Sequence, residues 1–260
     1  TKKNHFKNSR VKYINTNTDK IESVLAKYKK KIKALFHFGE FARIYQSFLK
    51  FNECLNSNFI GTKEVFKFCL ENKIKLIYSA TSASLGNNGE DKNLSPYAFS
   101  KAKNLELLEN LKKWFNFKFE IIYFYNVYGP RQICKGDMAT VIGIFENHFL
   151  NKKKLPVVRP GTQSRRFTHI HDTVNVCYEA LKKNKNRHYS IASNQSYSII
   201  QLAKLFKSQI TYLPKRPGER YTSALSSISF NNKIHKRTGH ISLKAYIKDF
   251  LKKHRFARNN

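Results

Sequence analysis

Lys75-Leu76-Ile77-Tyr78-Ser79 is a compact apolar run that leads straight into Ala80-Thr81-Ser82-Ala83-Ser84-Leu85-Gly86. Ser95-Pro96-Tyr97-Ala98-Phe99-Ser100-Lys101 follows and opens a helical stretch over Tyr97–Phe115. Strand, hydroxyl-rich turn and long helix, in that order, make one repeat of an alternating β/α fold. The same alternation continues on either side. Upstream, Val11–Ile14 reads as a short strand and Lys20–Lys30 as a helix with Ile21, Val24, Leu25 and Tyr28 at helical spacing. Ala34–Phe38 reads as a buried strand and Asn52–Glu71 as a helix. Downstream, Phe119–Phe124 is a buried, aromatic-rich strand. Beyond Gly129-Pro130 the pattern loosens: helices over Ala139–Phe149, Asp172–Leu181, Ser198–Phe206 and Leu243–His254 alternate with strands over Arg165–Ile170, Tyr189–Ile191 and Gln209–Leu213.

This alternation predicts an α/β fold, a doubly wound parallel sheet covered by helices on both faces. Such sheets bind ligands beyond the carboxyl ends of their strands, so functional residues are expected immediately after the strands. Residues 1–132 are expected to form the sheet domain. Residues 133–260 are expected to form a smaller α+β lobe, with 165–181 returning to the sheet domain.

The 260 residues suit one large domain or a domain with a smaller lobe, at about 100–200 residues per domain. Hydrophobic residues at 41% and aromatic residues at 14% exclude a disordered chain. No stretch approaches the roughly 20 apolar residues that span a bilayer, and no apolar signal region follows the start, which points to the cytoplasm. Cys54, Cys69, Cys134 and Cys177 form no close pair, so reduced thiols are expected and a metal site is not.

The net charge of +32 arises from 49 Lys and Arg against 17 acids. The basic residues are scattered through Lys27–Lys33, Lys112–Lys113, Lys152–Lys154, Lys182–Arg187 and Lys252–Arg258, with no single stripe and no nucleic-acid motif. They read as solvated faces, which would also draw in an anionic substrate. A nucleic-acid partner is not expected.

The chemistry centres on the opening run. Tyr97 and Lys101 are i and i+4 on one helix and so share a face. A phenol of pKa about 10 is a poor base near neutrality, but a lysine one turn away favours the phenolate. A hydroxyl from the preceding strand end can hold the substrate oxygen. The set suits removal of a proton from a hydroxyl while hydride leaves the carbon that bears it.

These motifs resemble the extended short-chain dehydrogenase/reductase family, on the side of UDP-glucose 4-epimerase and its relatives, and the likeness runs over nearly all of the chain. The resemblance implies a Rossmann-like fold, NAD as cofactor, a nucleotide-sugar substrate and a homodimer. It assigns the hydroxyl donor to Thr81, the base to Tyr97 and the lysine to Lys101. Leu35-Phe36-His37-Phe38-Gly39-Glu40-Phe41-Ala42 is similar to the family's fourth-strand segment, which touches the cofactor. The implied cofactor contacts are Phe38, Gly39, Glu40, Asn58, Ser79 and Tyr125, with Tyr97 and Lys101. Glu40 replaces the usual small residue. Phe124-Tyr125-Asn126-Val127-Tyr128-Gly129-Pro130 resembles a strand end whose aromatic, Tyr125, lies by the nicotinamide and whose Asn126 touches the substrate diphosphate. Ser164-Arg165-Arg166-Phe167 and Arg216-Pro217-Gly218-Glu219 resemble segments in which Arg165 and Arg216 bind phosphate and Glu219 the ribose. Arg166 stands where the family has an acid.

The family's first strand, glycine-rich turn, helix and second strand have no counterpart here. The first glycine is Gly39, and Thr1–Asn8 resembles the segment after the second strand. About 30 or more residues of the family's βαβ unit are therefore absent from this sequence. Asn15-Thr16 replaces a Gly-Asp whose acid contacts adenine. Either the chain is a piece of a longer protein, or it is a truncated one without the phosphate cradle.

Related dehydratases follow the hydroxyl donor with an acid that drives elimination. Ser82 and Ala83 occupy those positions, so epimerisation through a transient keto sugar is expected, most simply a UDP-hexose 4-epimerase. Lys135-Gly136-Asp137-Met138-Ala139-Thr140-Val141 is similar to a segment of ADP-heptose 6-epimerases, and the alternative enzyme is such a 6-epimerase or another nucleotide-sugar dehydratase or reductase. The alternative of another class is a basic binding module without cofactor.

Overall fold

The computed structural model describes residues 5–85, 91–219 and 234–254. Residues 1–4 of the opening segment, Gly86 of the hydroxyl-rich run and the end of the last basic cluster lie outside the described residues.

The first helix, α1 (Ile21–Leu25), continues as a 3-10 turn over Ala26–Lys31. β1 (Ala34–His37), α2 (Ile44–Leu49), α3 (Phe51–Leu55) and α4 (Thr62–Glu71) follow, with a π turn over Asn56–Gly61 joining α3 to α4. Then come β2 (Lys75–Thr81), α5 (Pro96–Phe115), β3 (Phe119–Phe124) and β4 (Val127–Tyr128). The second half holds α6 (Val141–Leu150), β5 (Leu155–Val158), β6 (Ser164–Arg166), β7 (Thr168–His169) and α7 (Ile170–Lys182). β8 (His188–Ala192), β9 (Ser196–Ser198), α8 (Ile199–Leu205), β10 (Ile210–Leu213), β11 (Ile234–Thr238) and α9 (Leu243–Lys253) complete it.

Two strand expectations are corrected. Val11–Ile14 forms no strand. Among the described residues no strand pairs with it, Val11, Tyr13 and Ile14 are exposed, and Tyr13 is held locally, stacked on His5 at 3.8 Å and accepting from Phe6 N at 2.8 Å. Arg165–Ile170 is not one strand. Buried Phe167 interrupts it, so β6 pairs antiparallel with β9 while β7 pairs parallel with β4.

The main sheet runs β1-β2-β3-β8-β11, parallel throughout. Strand side chains alternate between its faces. Leu76, Tyr78, Phe119 and Ile121 pack on one face with Val65, Phe66 and Cys69 of α4 and Leu108 of α5. Ile77, Ile122, Tyr189 and Ile191 pack on the other with Val176, Cys177 and Ala180 of α7. Burial on both faces explains why β2 and β3 read as continuous apolar runs. β1 ends the sheet on one side, where Phe36 and Phe38 remain exposed. A third core joins α6, β5, α8 and α9 around Phe145, Leu155, Leu202, Phe206 and Ile247.

α5 is fixed at both ends. Ser95 Oγ accepts from Ala98 N at 3.1 Å, Pro96 occupies the first turn, and Asn116 closes the helix in the left-handed conformation. Tyr97 therefore sits in the first turn, next to the carboxyl ends of the parallel strands. Among the described residues no helix is long and apolar enough to cross a membrane.

Candidate active site

A cavity of about 700 Å³ opens where the carboxyl ends of β1, β2 and β3 face the third core, at Ile142, Phe145, Phe167 and Ile199. Its wall brings together Phe38, Glu40, Ser79, Thr81, Tyr97 and Lys101 on the sheet side, with Asn126, Arg165, Arg216 and Glu219 on the other. Gly39, Asn58 and Tyr125 do not line it.

Thr81 ends β2, and its Oγ1 accepts from Ala83 N at 3.2 Å, which starts the turn that follows. Tyr97 is placed by a bond from its backbone N to Ser47 Oγ at 3.3 Å, tying α5 to α2. Lys101 is buried, and its Nζ donates to Glu40 Oε2 and to the Ser79 carbonyl. Glu40 also accepts from Thr62 Oγ1 at 2.9 Å, Tyr78 OH at 3.0 Å and Asn104 Nδ2 at 3.3 Å. Burial pushes the Lys101 pKa down, and the Glu40 carboxylate opposes that. Lys101 is thus half of a neutral buried pair, and its field at Tyr97 is that of a dipole rather than of a lone cation.

Asn58 sits in the π turn with its amide engaged. Its Oδ1 accepts from Phe41 N at 2.8 Å, and its Nδ2 donates to Ser100 Oγ at 2.9 Å. It joins the β1 loop to the Tyr97 helix. Tyr125 is buried, with its OH accepting from Ser190 Oγ at 3.2 Å. At this strand end the aromatic that reaches the cavity is Phe124 rather than Tyr125, packed edge-on against Phe38 at 5.4 Å. A Cβ on Gly39 would meet only a Thr18 methyl, at 3.6 Å, so that position does not require glycine for packing within this chain.

At the other wall, Arg165 Nη2 donates to Glu219 Oε2 at 3.1 Å. The Arg216 guanidinium lies 4.9 Å from the centre of the Tyr45 ring. Asn126 Nδ2 donates to the Arg166 carbonyl at 2.8 Å. The sequence reading missed Arg43, which lines the cavity on the loop after β1, and the donors around Glu40. Asn104 carried a signal, since Tyr97, Lys101 and Asn104 are spaced to share one face of α5. Arg43, in a loop, carried none.

Residues 1–192 match the family described as NAD dependent epimerase/dehydratase. The chain belongs to this family. NAD is the family's cofactor. Within it, the chain is 30% identical over 191 residues to the ADP-L-glycero-D-manno-heptose-6-epimerase of Brachyspira hyodysenteriae, a match that spans 68% of this chain and 59% of that protein. The chain therefore spans about three fifths of that relative. Among solved structures, the UDP-glucose 4-epimerase of Thermotoga maritima with UDP-glucose superposes with a TM-score of 0.82 at 21% identity, covering 96% of this chain and 86% of that one. The enzyme of the same name from Thermus thermophilus, in complex with NAD, gives 0.80 at 18% identity, covering 95% and 86%. These two likenesses are of fold, and the architecture above is that of the family's Rossmann-like sheet.

Proposed function

We propose that this protein is an NAD-dependent sugar-nucleotide epimerase, with the described cavity as its active site. One observation carries the reading: Thr81, Tyr97 and Lys101 converge on the same cavity as Asn126, Arg165 and Arg216. Proton-transfer chemistry thereby faces groups suited to phosphate. Tyr97 takes the proton from a sugar hydroxyl, and Thr81 orients that hydroxyl. Lys101, anchored by Glu40 and the Ser79 carbonyl, holds the wall behind them. No carboxylate follows Thr81 at positions 82 and 83, so the general acid that an elimination needs is missing there, which favours epimerisation.

The residues present fit the nicotinamide end of NAD. The Glu40 charge, which would repel the cofactor's phosphates, is balanced by Lys101, and the carboxylate is turned inward with its side chain 2% exposed. NAD held there would supply the hydride-transfer chemistry at the sugar carbon. Phe38, Ser79, Tyr97 and Lys101 would line that end of the cofactor.

The preferred substrate is a UDP-hexose, epimerised at carbon 4. The heptose relative at 30% identity favours a second reading, epimerisation at carbon 6 of an ADP-linked heptose. Incubation of the whole protein with NAD and either sugar nucleotide, followed by product analysis, separates the two. Formation of neither epimer would overturn the proposal.

A further inference from the structure

Basic residues that lie scattered along the sequence gather in the fold. The main sheet is parallel, so all of its strands start at one end. Lys33 directly precedes β1, Lys73 stands two residues before β2, Lys118 directly precedes β3, and Lys185 stands three residues before β8. The helices that return to this end add Lys113 in the last turn of α5 and Lys183 just past α7. Hydrogen bonds tie these segments to one another. Leu76 N donates to the Lys118 carbonyl at 3.2 Å, Asn186 Nδ2 to the Phe117 carbonyl at 2.8 Å, and Lys75 Nζ to the Ala180 and Leu181 carbonyls at 2.6 and 2.9 Å. The six lysines are exposed, and none has an acidic partner among the described residues. The acids near them are engaged or inset. Glu120 is buried and accepts from Lys185 N at 2.8 Å and Arg187 N at 2.9 Å, Glu109 meets His188 at 2.9 Å, Glu71 lies beside Lys67 at 4.0 Å, and Glu179 is half-buried on α7.

A lysine at the end of a helix has a local reason, since it complements the helix dipole. The lysines before the strands have no such reason, and their mutual repulsion works against the fold. Two large aromatics stand among them. Trp114 and Phe115 close α5 and are 62% and 60% exposed, and Asn116 then turns the chain towards β3. Their rings meet edge to face, 6.3 Å apart and 83° from parallel. The end of the sheet away from the cavity is thus a basic face with an apolar tip. The seven residues of β2 separate the two ends by about 20 Å.

Such a face calls for an anionic partner. A second copy of this chain, with a net charge of +32, is repelled. Reading of bases in duplex DNA favours the arginine fork, whereas lysine supplies a point charge. Single strands are held on aromatic planes where successive bases stack, and two adjacent rings at 83° do not offer such planes. An anionic bilayer needs neither. Its headgroups attract clustered lysines, and a tryptophan settles at the boundary between water and hydrocarbon. A basic patch joined to an apolar insertion is the pair of signals that holds a protein on a membrane surface. We propose that this face docks reversibly on an anionic lipid surface through Trp114, Phe115 and the surrounding lysines, with the cavity turned towards water.

The test is co-sedimentation of the whole protein with phosphatidylcholine vesicles, with and without about one third phosphatidylserine. Binding to the anionic vesicles should be at least about ten-fold stronger and should weaken from about 50 to about 500 mM salt. Trp114 is the one tryptophan among the 260 residues, so its emission reports the tip. That emission should shift to the blue on binding and be quenched by brominated lipid, and Trp114→Phe should remove the signal. Lys118→Gln combined with Lys185→Gln should weaken binding by at least about ten-fold, at about five-fold for each basic residue lost. Trp114→Ala, at an exposed position, should also weaken it, and serves if the lysine pair unfolds. Lys152→Gln combined with Lys154→Gln removes the same charge from the turn between α6 and β5 and should change binding by less than about two-fold. Equal loss in the two lysine pairs would overturn the inference by making net charge the cause. Equal binding to neutral vesicles, no binding to anionic ones, or unchanged Trp114 emission in the bound protein would overturn it too. Tighter binding to single-stranded RNA than to the anionic vesicles at the same salt would overturn it in favour of nucleic acid. None of these outcomes touches the epimerase reading.

Discussion

Lys101 and Glu40, 61 residues apart in sequence, form an ion pair whose side chains are 4% and 2% exposed, with Ser79, Thr62, Tyr78 and Asn104 completing its hydrogen bonds. The lysine expected to favour the Tyr97 phenolate is built into the junction of β1, β2 and α5. The pair fixes where Lys101 lies and limits how much charge it projects.

Glu40→Gln should therefore act on stability first. It leaves Lys101 buried without a counter-charge, and loss of one partner of a buried pair costs about 3–5 kcal/mol. Lys101 is already pushed below its ordinary range, and Glu40 is the group that holds it up, so the substitution lowers it further. The unfolded chain then binds the extra proton over a wider window below pH about 10.4, so stability rises with pH across it. Urea unfolding should show a deficit near neutrality that shrinks as pH rises. A pH-independent deficit would mean the pair is not the cause.

His37 supplies an acid-side prediction. It is buried, its Nε2 lies 2.9 Å from Thr62 Oγ1, and burial pushes its pKa down to about 4. The unfolded value is about 6.5. Between these values the unfolded chain binds more protons than the folded one, so stability falls as pH drops through that window. The loss approaches about 3 kcal/mol by pH about 4. His37→Gln should flatten this part of the stability curve, as read by urea midpoints from pH 7 down to pH 4.

Tyr97→Phe should lower turnover of the whole, NAD-loaded protein by at least about 100-fold, the usual weight of general base catalysis. The backbone bond from Tyr97 N to Ser47 Oγ survives the change, so the melting temperature should stay near that of the unaltered protein. Turnover close to the original would remove Tyr97 from its role.

Arg216→Ala should weaken nucleotide-sugar binding much more than NAD binding, because Arg216 lies on the wall opposite the sheet and against Tyr45. Parallel titrations with each ligand read the difference. Equal losses would place Arg216 outside the substrate site.

Residues 1–260 alone should bind NAD too weakly to detect at micromolar concentration, since the sequence holds no glycine-rich turn to cradle its pyrophosphate. Calorimetry on this 260-residue polypeptide decides it. Micromolar affinity would mean that other residues anchor the cofactor.

Much of the fold was legible locally. β3 occupies the apolar run expected of it, and β2 and α5 lie within two residues of theirs. Ser198 and Gln201 form a reciprocal cap where the helix was expected to begin. The misreadings share a cause. Val11–Ile14 has strand composition but, among the described residues, no neighbour to pair with, whereas Leu155–Val158 and Ile234–Thr238, for which the local pattern predicts no strand, are strands because β10 and β8 lie alongside. Strand existence depends on a partner, and the partner is chosen by the fold.

The same division runs through the site. The sequence by itself determined that Tyr97 and Lys101 share a helical face and that Thr81 stands at a strand end, because those relations depend only on the geometry of one element and its cap. It also determined that Arg165, Arg216 and Glu219 were candidates. Only the tertiary structure decided that Glu40 neutralises Lys101, that Arg165 pairs with Glu219 rather than standing free, that Phe124 and not Tyr125 meets the cavity, and that Arg43 lines it with a buried, unpartnered Nε–H. Each of these is a contact between elements separated by tens of residues. Such contacts are set by how sheet, helices and lobes dock, and charge pairing and burial follow from that docking.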